Sequence, residues 1–177
     1  MLGAKFSMLF LLLSGQRCQT LHLICLDDII FEDNSVIITT PHLLKTSKPV
    51  RHQSPFTFRT YTPNAILCIV QTLKEYVNRT KGLRTTDQLM ISTIKPHGAV
   101  SKQTIGRWIK LIMLKAGIHT SFKPHSTLAA ATSMANLHGV HMQQIVKTAG
   151  WASSRMFAKY YNKPITNQCN SSLNDIM

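Results

Sequence analysis

The chain has 177 residues and a mass of 19.9 kDa, which suits one domain with a hydrophobic core and is short for two. Its 44% hydrophobic content argues against disorder over most of the length, and 20 Lys and Arg against 7 Asp and Glu give a formal net charge of +13. A folded, strongly basic domain is typical of proteins that bind a polyanion or an anionic membrane surface.

The first predicted element is a buried helix over residues 4–14. The apolar run that ends at Leu13 imitates a secretory signal peptide, but the sequence that follows from Ser14 to Arg17 is a poor cleavage site. The run is also too short to span a bilayer. We therefore expect an intracellular protein, nuclear in a eukaryote, that is not secreted and has no membrane partner. A secreted basic protein, cleaved near Ser14, is the alternative.

Residues 27–60 predict a small antiparallel sheet of three strands, because they are rich in β-branched and aromatic residues with turn signals between them. The strands are expected at 28–31, 36–40 and 56–60, with a basic polar loop at 46–54. Pro41 and Pro55 indicate strand ends or edges.

From Pro63 onward the apolar period is helical. A first amphipathic helix is expected to begin at Thr62-Pro63 and to run through Val77. Residues 80–100 are expected to form a loop in which a short strand could lie at 89–92. Further helices are predicted from Ser101 to about 117, then at about 126–139, 141–148 and 153–161.

These elements predict the α+β class: one mostly α-helical domain with a small three-stranded antiparallel sheet. The domain is expected to cover residues 1–165. Residues 166–177 are polar, rich in Asn and Ser, and are expected to form a disordered tail.

The charge is distributed unevenly along the chain. Residues 88–174 contain no Asp or Glu. The bases of that stretch are Lys95, Lys102, Arg107, Lys110, Lys115, Lys123, Lys147, Arg155, Lys159 and Lys163. A surface that is merely solvated normally mixes both signs, so this half is predicted to face a nucleic acid.

Several classes of catalytic site are excluded by the sequence. It has no Gly-rich phosphate loop, no HExxH and no GxSxG motif, and its seven carboxylates offer no pair for a metal-dependent nuclease. The four cysteines show no CxxC pairing or zinc spacing, so we expect no metal, no disulfide framework and no small-molecule cofactor. Chemistry on phosphodiesters would have to use Arg, Lys, His and a side-chain nucleophile.

Three segments carry residues of that kind. Arg17 follows the first helix, His125 stands at a helix start where backbone N–H groups favour an anion, and Trp151 is followed by Tyr160 and Tyr161. Taken singly, these are commonly a solvated cap, a core tryptophan and a packed tyrosine pair. In this order and spacing, they resemble the catalytic domain of the tyrosine recombinases, the phage-integrase family. The local sequences around these residues are most similar to those of integrase-like cores of animal mobile elements.

The resemblance covers about residues 5–165 and implies a set of catalytic residues. Arg17 corresponds to the first catalytic arginine and Lys45 to the lysine on a β-hairpin. His125 corresponds to the histidine of the His-x-x-Arg box, and Trp151 to the His-or-Trp position. The nucleophile would be Tyr161 or Tyr160. Four nearby bases are expected to bind substrate: Lys123, Arg107, Lys159 and Lys163. The second catalytic arginine of the family is replaced here by Leu128. Family members also carry an N-terminal helical domain that closes over DNA, and we expect it to be absent from this chain.

The implied reaction is DNA strand cleavage and rejoining, as in DNA integration and recombination. A tyrosine hydroxyl attacks a DNA phosphate, forms a 3′-phosphotyrosyl link and releases a 5′-hydroxyl without a metal. Arginine and histidine neutralise the developing charge, and lysine protonates the leaving oxygen. Leucine offers no donor, so we expect a weak or inactive enzyme. Its partner would be double-stranded DNA, on which it could assemble as a homo-oligomer. The phrasing around the tyrosines slightly favours Tyr161 as the nucleophile.

A non-enzymatic DNA-binding module derived from a mobile element is the alternative. Residues 126–150 predict two helices joined by a turn at Gly139-Val140, which is similar to a helix-turn-helix. The enzyme hypothesis is preferred because it also accounts for Arg17, Lys45, Trp151 and the tyrosines. A covalent protein–DNA adduct that resists SDS would indicate the enzyme, and reversible, salt-sensitive binding alone would indicate the module.

Overall fold

A computed structural model of the protein describes residues 2–40, 54–151 and 153–161. In these ranges the helices are α1 (Leu2–Ser14), α2 (Cys18–Leu23), α3 (Ile69–Thr80), α4 (Lys102–Lys115), α5 (Ser126–Leu137), α6 (Met142–Thr148) and α7 (Ser154–Met156). A π-helical turn, Phe157–Tyr161, continues α7. The strands are β1 (Ile29–Phe31), β2 (Ser35–Ile38) and β3 (Phe56–Arg59).

The three strands form one antiparallel sheet in the order β1-β2-β3. Along β3, Phe56 and Phe58 are buried while Thr57 and Arg59 are exposed, because successive side chains of a strand point to opposite faces. Val36 pairs with Phe58, so the apolar face of the sheet is shared by both strands. The predicted class, mostly helical with a small antiparallel sheet, is confirmed.

Helix α1 lies at the centre of the larger hydrophobic core, in contact with α3, α4 and α5. Phe6 and Phe10 are fully buried, and a Cβ on Gly3 would lie 3.1 Å from the Tyr76 ring. The buried N-terminal helix is therefore present, as expected from its apolar sequence. Its last turn differs from that expectation, because Leu12 and Leu13 are 41% and 56% exposed.

Two separate clusters of buried side chains make up the interior of the described residues. The first core combines α1, α2, α3 and α4 with the sheet, and includes Phe6, Phe10, Leu21, Ile24, Val36, Phe58, Leu73, Ile105 and Ile109. The second core is smaller and belongs to α5, α6 and the C-terminal turn. It consists of Leu128, Ile145, Ala149, Trp151, Phe157 and Tyr161.

Several predicted boundaries are wrong. Helix α3 begins at Ile69 and not at Pro63, because the Asn64 side chain accepts the N–H of Ile66 at 2.9 Å and caps a 3-10 turn first. Ile66, which the periodicity placed on the apolar face, is 71% exposed. Residues 89–92 form no strand, since Ile91 makes only a single bridge to Ala99. The last predicted helix is three α-helical residues followed by the π turn.

Helix α2 lies just after Arg17 and was not predicted, because six residues are too few to show a period. No helix in the described ranges is long and apolar enough to cross a membrane. Most of the predicted basic loop at 46–54 and the whole predicted tail at 166–177 lie outside the described residues.

Candidate active site

A cleft of about 340 Å³ opens beside Arg17. Its basic side chains come from three elements: Arg17 precedes α2, Lys102 begins α4, and Lys123 and His125 lie in the turn before α5. No carboxylate is among the described residues that line it. This basic cleft therefore suits an anion, since its charges are of one sign and no acid competes for them.

The turn before α5 holds His125 against the C-terminal segment. His125 Nε2 lies 2.9 Å from the Tyr161 hydroxyl, and the two rings meet edge to face with centroids 5.7 Å apart. Partial burial and the nearby Arg17 guanidinium both lower the pKa of His125, burial being the larger cause. The imidazole is therefore neutral at pH 7 and can take a proton from a hydroxyl.

Tyr161 is held on three sides. Its ring stacks on Trp151 with centroids 4.6 Å apart and an interplanar angle of 18°. Ser133 Oγ donates a hydrogen bond to its carbonyl at 2.6 Å, and the side chain reaches His125 as described. Only 8% of the residue is exposed, so its hydroxyl is fixed in direction by protein contacts.

Tyr160 lies in a different environment. It is 48% exposed, and the Lys159 ammonium stands 5.1 Å from its ring centroid. The two neighbouring tyrosines therefore differ in what they contact: Tyr161 meets a histidine that lines the basic cleft, whereas Tyr160 meets a surface lysine.

Leu128 occupies the position where the sequence comparison expected an arginine. It lies in the first turn of α5, is 1% exposed and belongs to the second core with Ile145 and Trp151. A Cβ on Gly15 would lie 3.8 Å from Leu128 Cδ1, so the leucine packs beside the loop that carries Arg17. The space is filled by an apolar side chain that has no donor for a phosphoryl oxygen.

The other predicted site residues are scattered. Lys45 and Lys163 lie outside the described residues. Arg107 is exposed on α4, where it donates to Thr104 Oγ1 at 3.0 Å, and it does not line the cleft. Of the substrate-binding residues predicted in the described ranges, Lys123 alone lines it.

The sequence analysis counted Lys102 among the bases predicted to face a nucleic acid but did not place Lys102 or Gln16 among the site residues, although both line the cleft. Lys102 is the first residue of α4 after the Ser101 cap, a location where helix N–H groups favour anions, and this signal could have singled it out. Gln16 is marked only by its place before Arg17. In the described part of the chain, no group of three or more His, Cys, Asp or Glu could hold a metal ion.

Comparison with known families identifies the class of protein. A model of the Phage integrase family matches residues 2–166. The chain therefore belongs to the phage integrase family, the tyrosine recombinases. None of the curated proteins compared with this chain matches it.

Solved structures show the same fold at low sequence identity. XerH site-specific recombinase, bound to its difH substrate in a pre-cleavage complex, has a TM-score of 0.69 at 14% identity over 93% of this chain and 44% of that one. The Tn1549 transposon integrase in complex with transposon right end DNA has a TM-score of 0.63 at 14% sequence identity. The match covers 90% of this chain and 54% of the integrase chain. A lambda integrase dimer bound to a core site has a TM-score of 0.60 at 14% sequence identity. The match covers 96% of this chain and 45% of the lambda integrase chain.

This chain spans about half the length of these relatives. The tyrosine recombinase catalytic-domain fold predicted from the ordered motifs is thus confirmed. A closer relation to animal mobile elements stays a prediction.

Proposed function

We propose that this chain is the catalytic domain of a DNA recombinase that cleaves and rejoins strands through a 3′-phosphotyrosyl link. One observation carries the proposal: the Tyr161 hydroxyl lies 2.9 Å from His125, and His125 lines the same basic cleft as Arg17. A nucleophile, a neutral base and an anion-binding cleft are thereby in reach of one another, as nucleophilic catalysis requires.

The proposed step uses these groups in sequence. The Tyr161 oxygen attacks the phosphorus of a DNA phosphodiester, and its proton passes to His125 Nε2. The bond from phosphorus to the 5′ oxygen breaks, and that oxygen leaves as a hydroxyl after protonation by Lys45, the lysine that the family resemblance implies. Because one phosphodiester replaces another, the link can be reversed by an incoming 5′-hydroxyl without an energy source.

Arg17, Lys102 and Lys123 would hold the phosphate and stabilise charge on its nonbridging oxygens. Trp151 would keep the nucleophile in place through its stacked ring. The remaining positive charge, including Arg107, Lys159 and Lys163, would bind double-stranded DNA on either side of the cut, with an affinity that falls steeply with salt.

Leu128 would make this enzyme slow. Removing one preorganised donor to a transition-state oxyanion typically costs about 10²–10³ in rate. The buried leucine supplies none, so we propose a domain that keeps its fold and its DNA affinity with weak strand cleavage.

Tyrosine substitution tests the nucleophile directly. Tyr161→Phe and Tyr160→Phe are matched variants that each remove one hydroxyl from adjacent residues. On a suicide DNA substrate, SDS-resistant adduct should disappear with Tyr161→Phe and persist with Tyr160→Phe, both in the natural chain and in a Leu128→Arg background. Adduct that survives loss of both hydroxyls would reject the nucleophile assignment.

The second candidate function is a non-enzymatic DNA-binding module, favoured by the apolar Leu128. Helices α5 and α6 are joined through Gly139 at φ +76, as a helix-turn-helix would need. Reversible, salt-sensitive binding with no adduct from either Leu128 or its arginine variant would establish this function instead. Assembly of several copies on DNA, as in the lambda integrase dimer, is part of the enzyme proposal only. The intracellular and nuclear location stays a prediction.

A further inference from the structure

Two buried polar side chains flank Arg17. Gln16 and Thr20 are each 3% exposed, and Thr20 Oγ1 donates to Gln16 Oε1 at 3.0 Å. Gln16 Nε2 in turn donates to the carbonyl of Thr148, which lies 132 residues further along the chain. Burying polar groups is costly unless they are paired, and this pair satisfies both ends of the Gln16 amide.

The bridge joins the two parts of the proposed site. Gln16 directly precedes Arg17, and Thr148 is the last residue of α6, three residues before Trp151. Gly15, in the same loop at φ +60, lies close to α5, since a Cβ there would be 3.4 Å from Thr132 Cγ2. The loop that carries Arg17 is therefore hydrogen-bonded to the end of α6 and lies close to α5.

We propose that Gln16 and Thr20 are positioning residues that set Arg17 against the side of the cleft lined by His125, which contacts Tyr161, so that both sides engage one phosphate. The inference rests on the proposed function, in which these residues act on a single phosphodiester. Gln16 also lines the cleft, but its side-chain hydrogen bonds are made to Thr20 and Thr148, so the role that we propose for both residues is to hold Arg17 in place. A misplacement of about 1 Å in such a group can cost about 10² in rate.

The test compares two buried hydroxyls that differ in location. Thr20→Val removes the hydroxyl of the bridge and keeps the shape of the side chain, and Thr20→Ser keeps the hydroxyl. Thr72→Val is the matched control: Thr72 is 2% exposed and donates to Cys68 O at 2.8 Å within the α3 region, in the first core. Gln16→Met is the second variant, which removes the amide at similar length.

Four quantities are measured on the full chain. They are the melting temperature, the Kd for a duplex DNA, the single-turnover adduct rate at saturating DNA, and the pKa of His125 by NMR, with His125→Gln assigning the signal. The NMR readout needs no catalysis, because the Arg17 charge contributes to the lowered pKa of His125. The Leu128→Arg background is used for rates if the natural chain is too slow to time.

Thr20→Val and Thr72→Val should lower the melting temperature by similar amounts. Only Thr20→Val and Gln16→Met should cut the adduct rate, by about 10–100-fold, with Kd within about threefold. In these two variants the pKa of His125 should rise towards its ordinary value of 6.5. Thr20→Ser should restore both the rate and the pKa.

Two results would overturn the inference. One is an unchanged adduct rate and an unchanged His125 pKa in both bridge variants, and the other is the same changes in Thr72→Val. If no variant forms adduct, even with Leu128→Arg, the proposed function fails. The NMR measurement of the His125 pKa then tests the positioning role by itself. A His125 pKa that rises in the bridge variants and not in the control then supports the positioning role, and one that stays constant refutes it.

Discussion

The two cores differ in how their polar groups find partners. In the first core, the buried serine and threonine hydroxyls bond within their own helix region, as Ser7 does to Gly3 O at 2.8 Å and Thr80 to Tyr76 O at 2.7 Å, whereas the Tyr76 hydroxyl accepts the N–H of Ile91 at 3.0 Å. Beside the second core Thr132 likewise bonds locally, to Leu128 O at 2.7 Å, but the contacts of the proposed site join distant residues, since His125 and Tyr161 lie 36 residues apart in the chain.

This difference suggests that the two cores have different roles, one structural and one catalytic. A local bond of this kind satisfies a buried hydroxyl within its own helix, whereas a long-range bond forms only when distant parts of the chain are folded together. The first core therefore serves mainly as a scaffold, although its elements also present Arg17 and Lys102, and the second core holds Tyr161, the nucleophile that we propose.

The largest expected effect is on stability. Phe10→Ala in the first core and Phe157→Ala in the second each delete a buried ring, so each should lower the free energy of unfolding by about 3–5 kcal/mol. Only Phe157→Ala should also slow adduct formation, because Phe157 packs against Trp151 with centroids 6.0 Å apart. Urea unfolding and adduct assays on folded protein measure the two effects. An equal slowing by Phe10→Ala would break the division between the cores.

The next effect concerns catalysis. Leu128→Arg should raise the rate of adduct formation by about 10²–10³, because it restores a donor for the phosphoryl oxygens. Leu128→Met is the control, since it keeps an apolar side chain of similar volume and should leave the rate unchanged. The rate at which covalent adduct accumulates on a suicide DNA substrate, followed on SDS gels, measures the effect. Equal adduct from Leu128→Arg and the natural chain would contradict the impairment.

A smaller effect depends on pH. Because the pKa of His125 lies below its ordinary value of 6.5, the residue is neutral at pH 7 and gains its proton only at more acidic pH. The adduct rate should therefore be flat near pH 7 and fall by up to about tenfold per pH unit once the pH drops below that lowered pKa.

The free energy of unfolding should also fall on acidification. The unfolded chain binds the His125 proton at higher pH than the folded chain, so this contribution is complete above pH 6.5 and is lost as the pH falls through the lowered value. Adduct rates and urea midpoints between pH 5 and 8, compared with His125→Gln, measure both trends. A rate that rises on acidification would exclude His125 as the proton acceptor.

The smallest expected effect is on one hydrogen bond. Ser133→Ala removes the donor to the Tyr161 carbonyl, and Ser7→Ala removes an equally buried hydroxyl in α1. Both should cost about 1 kcal/mol of unfolding free energy. Only Ser133→Ala should also reduce the adduct rate, because it loosens the segment that carries the nucleophile. Identical rates in the two variants would show that Tyr161 is positioned without Ser133.

Much of the fold was predictable from the sequence because its signals are local. The apolar residues of α4, the Ser101 cap and the alternation in β3 each depend on neighbours a few residues away, and the elements they indicate are present. Where a local signal was too short or ambiguous, prediction failed: α2 has six residues, and the Asn64 turn delays the start of α3.

The sequence by itself determined the fold class, the charge and the order of Arg17, His125, Trp151 and the tyrosines. Only the tertiary structure decided which tyrosine meets His125, since adjacent residues in one turn point in different directions and packing buries just one of them. It also decided that Gln16 reaches Thr148 across 132 residues. Such contacts have no local pattern, because they depend on how the two cores pack together.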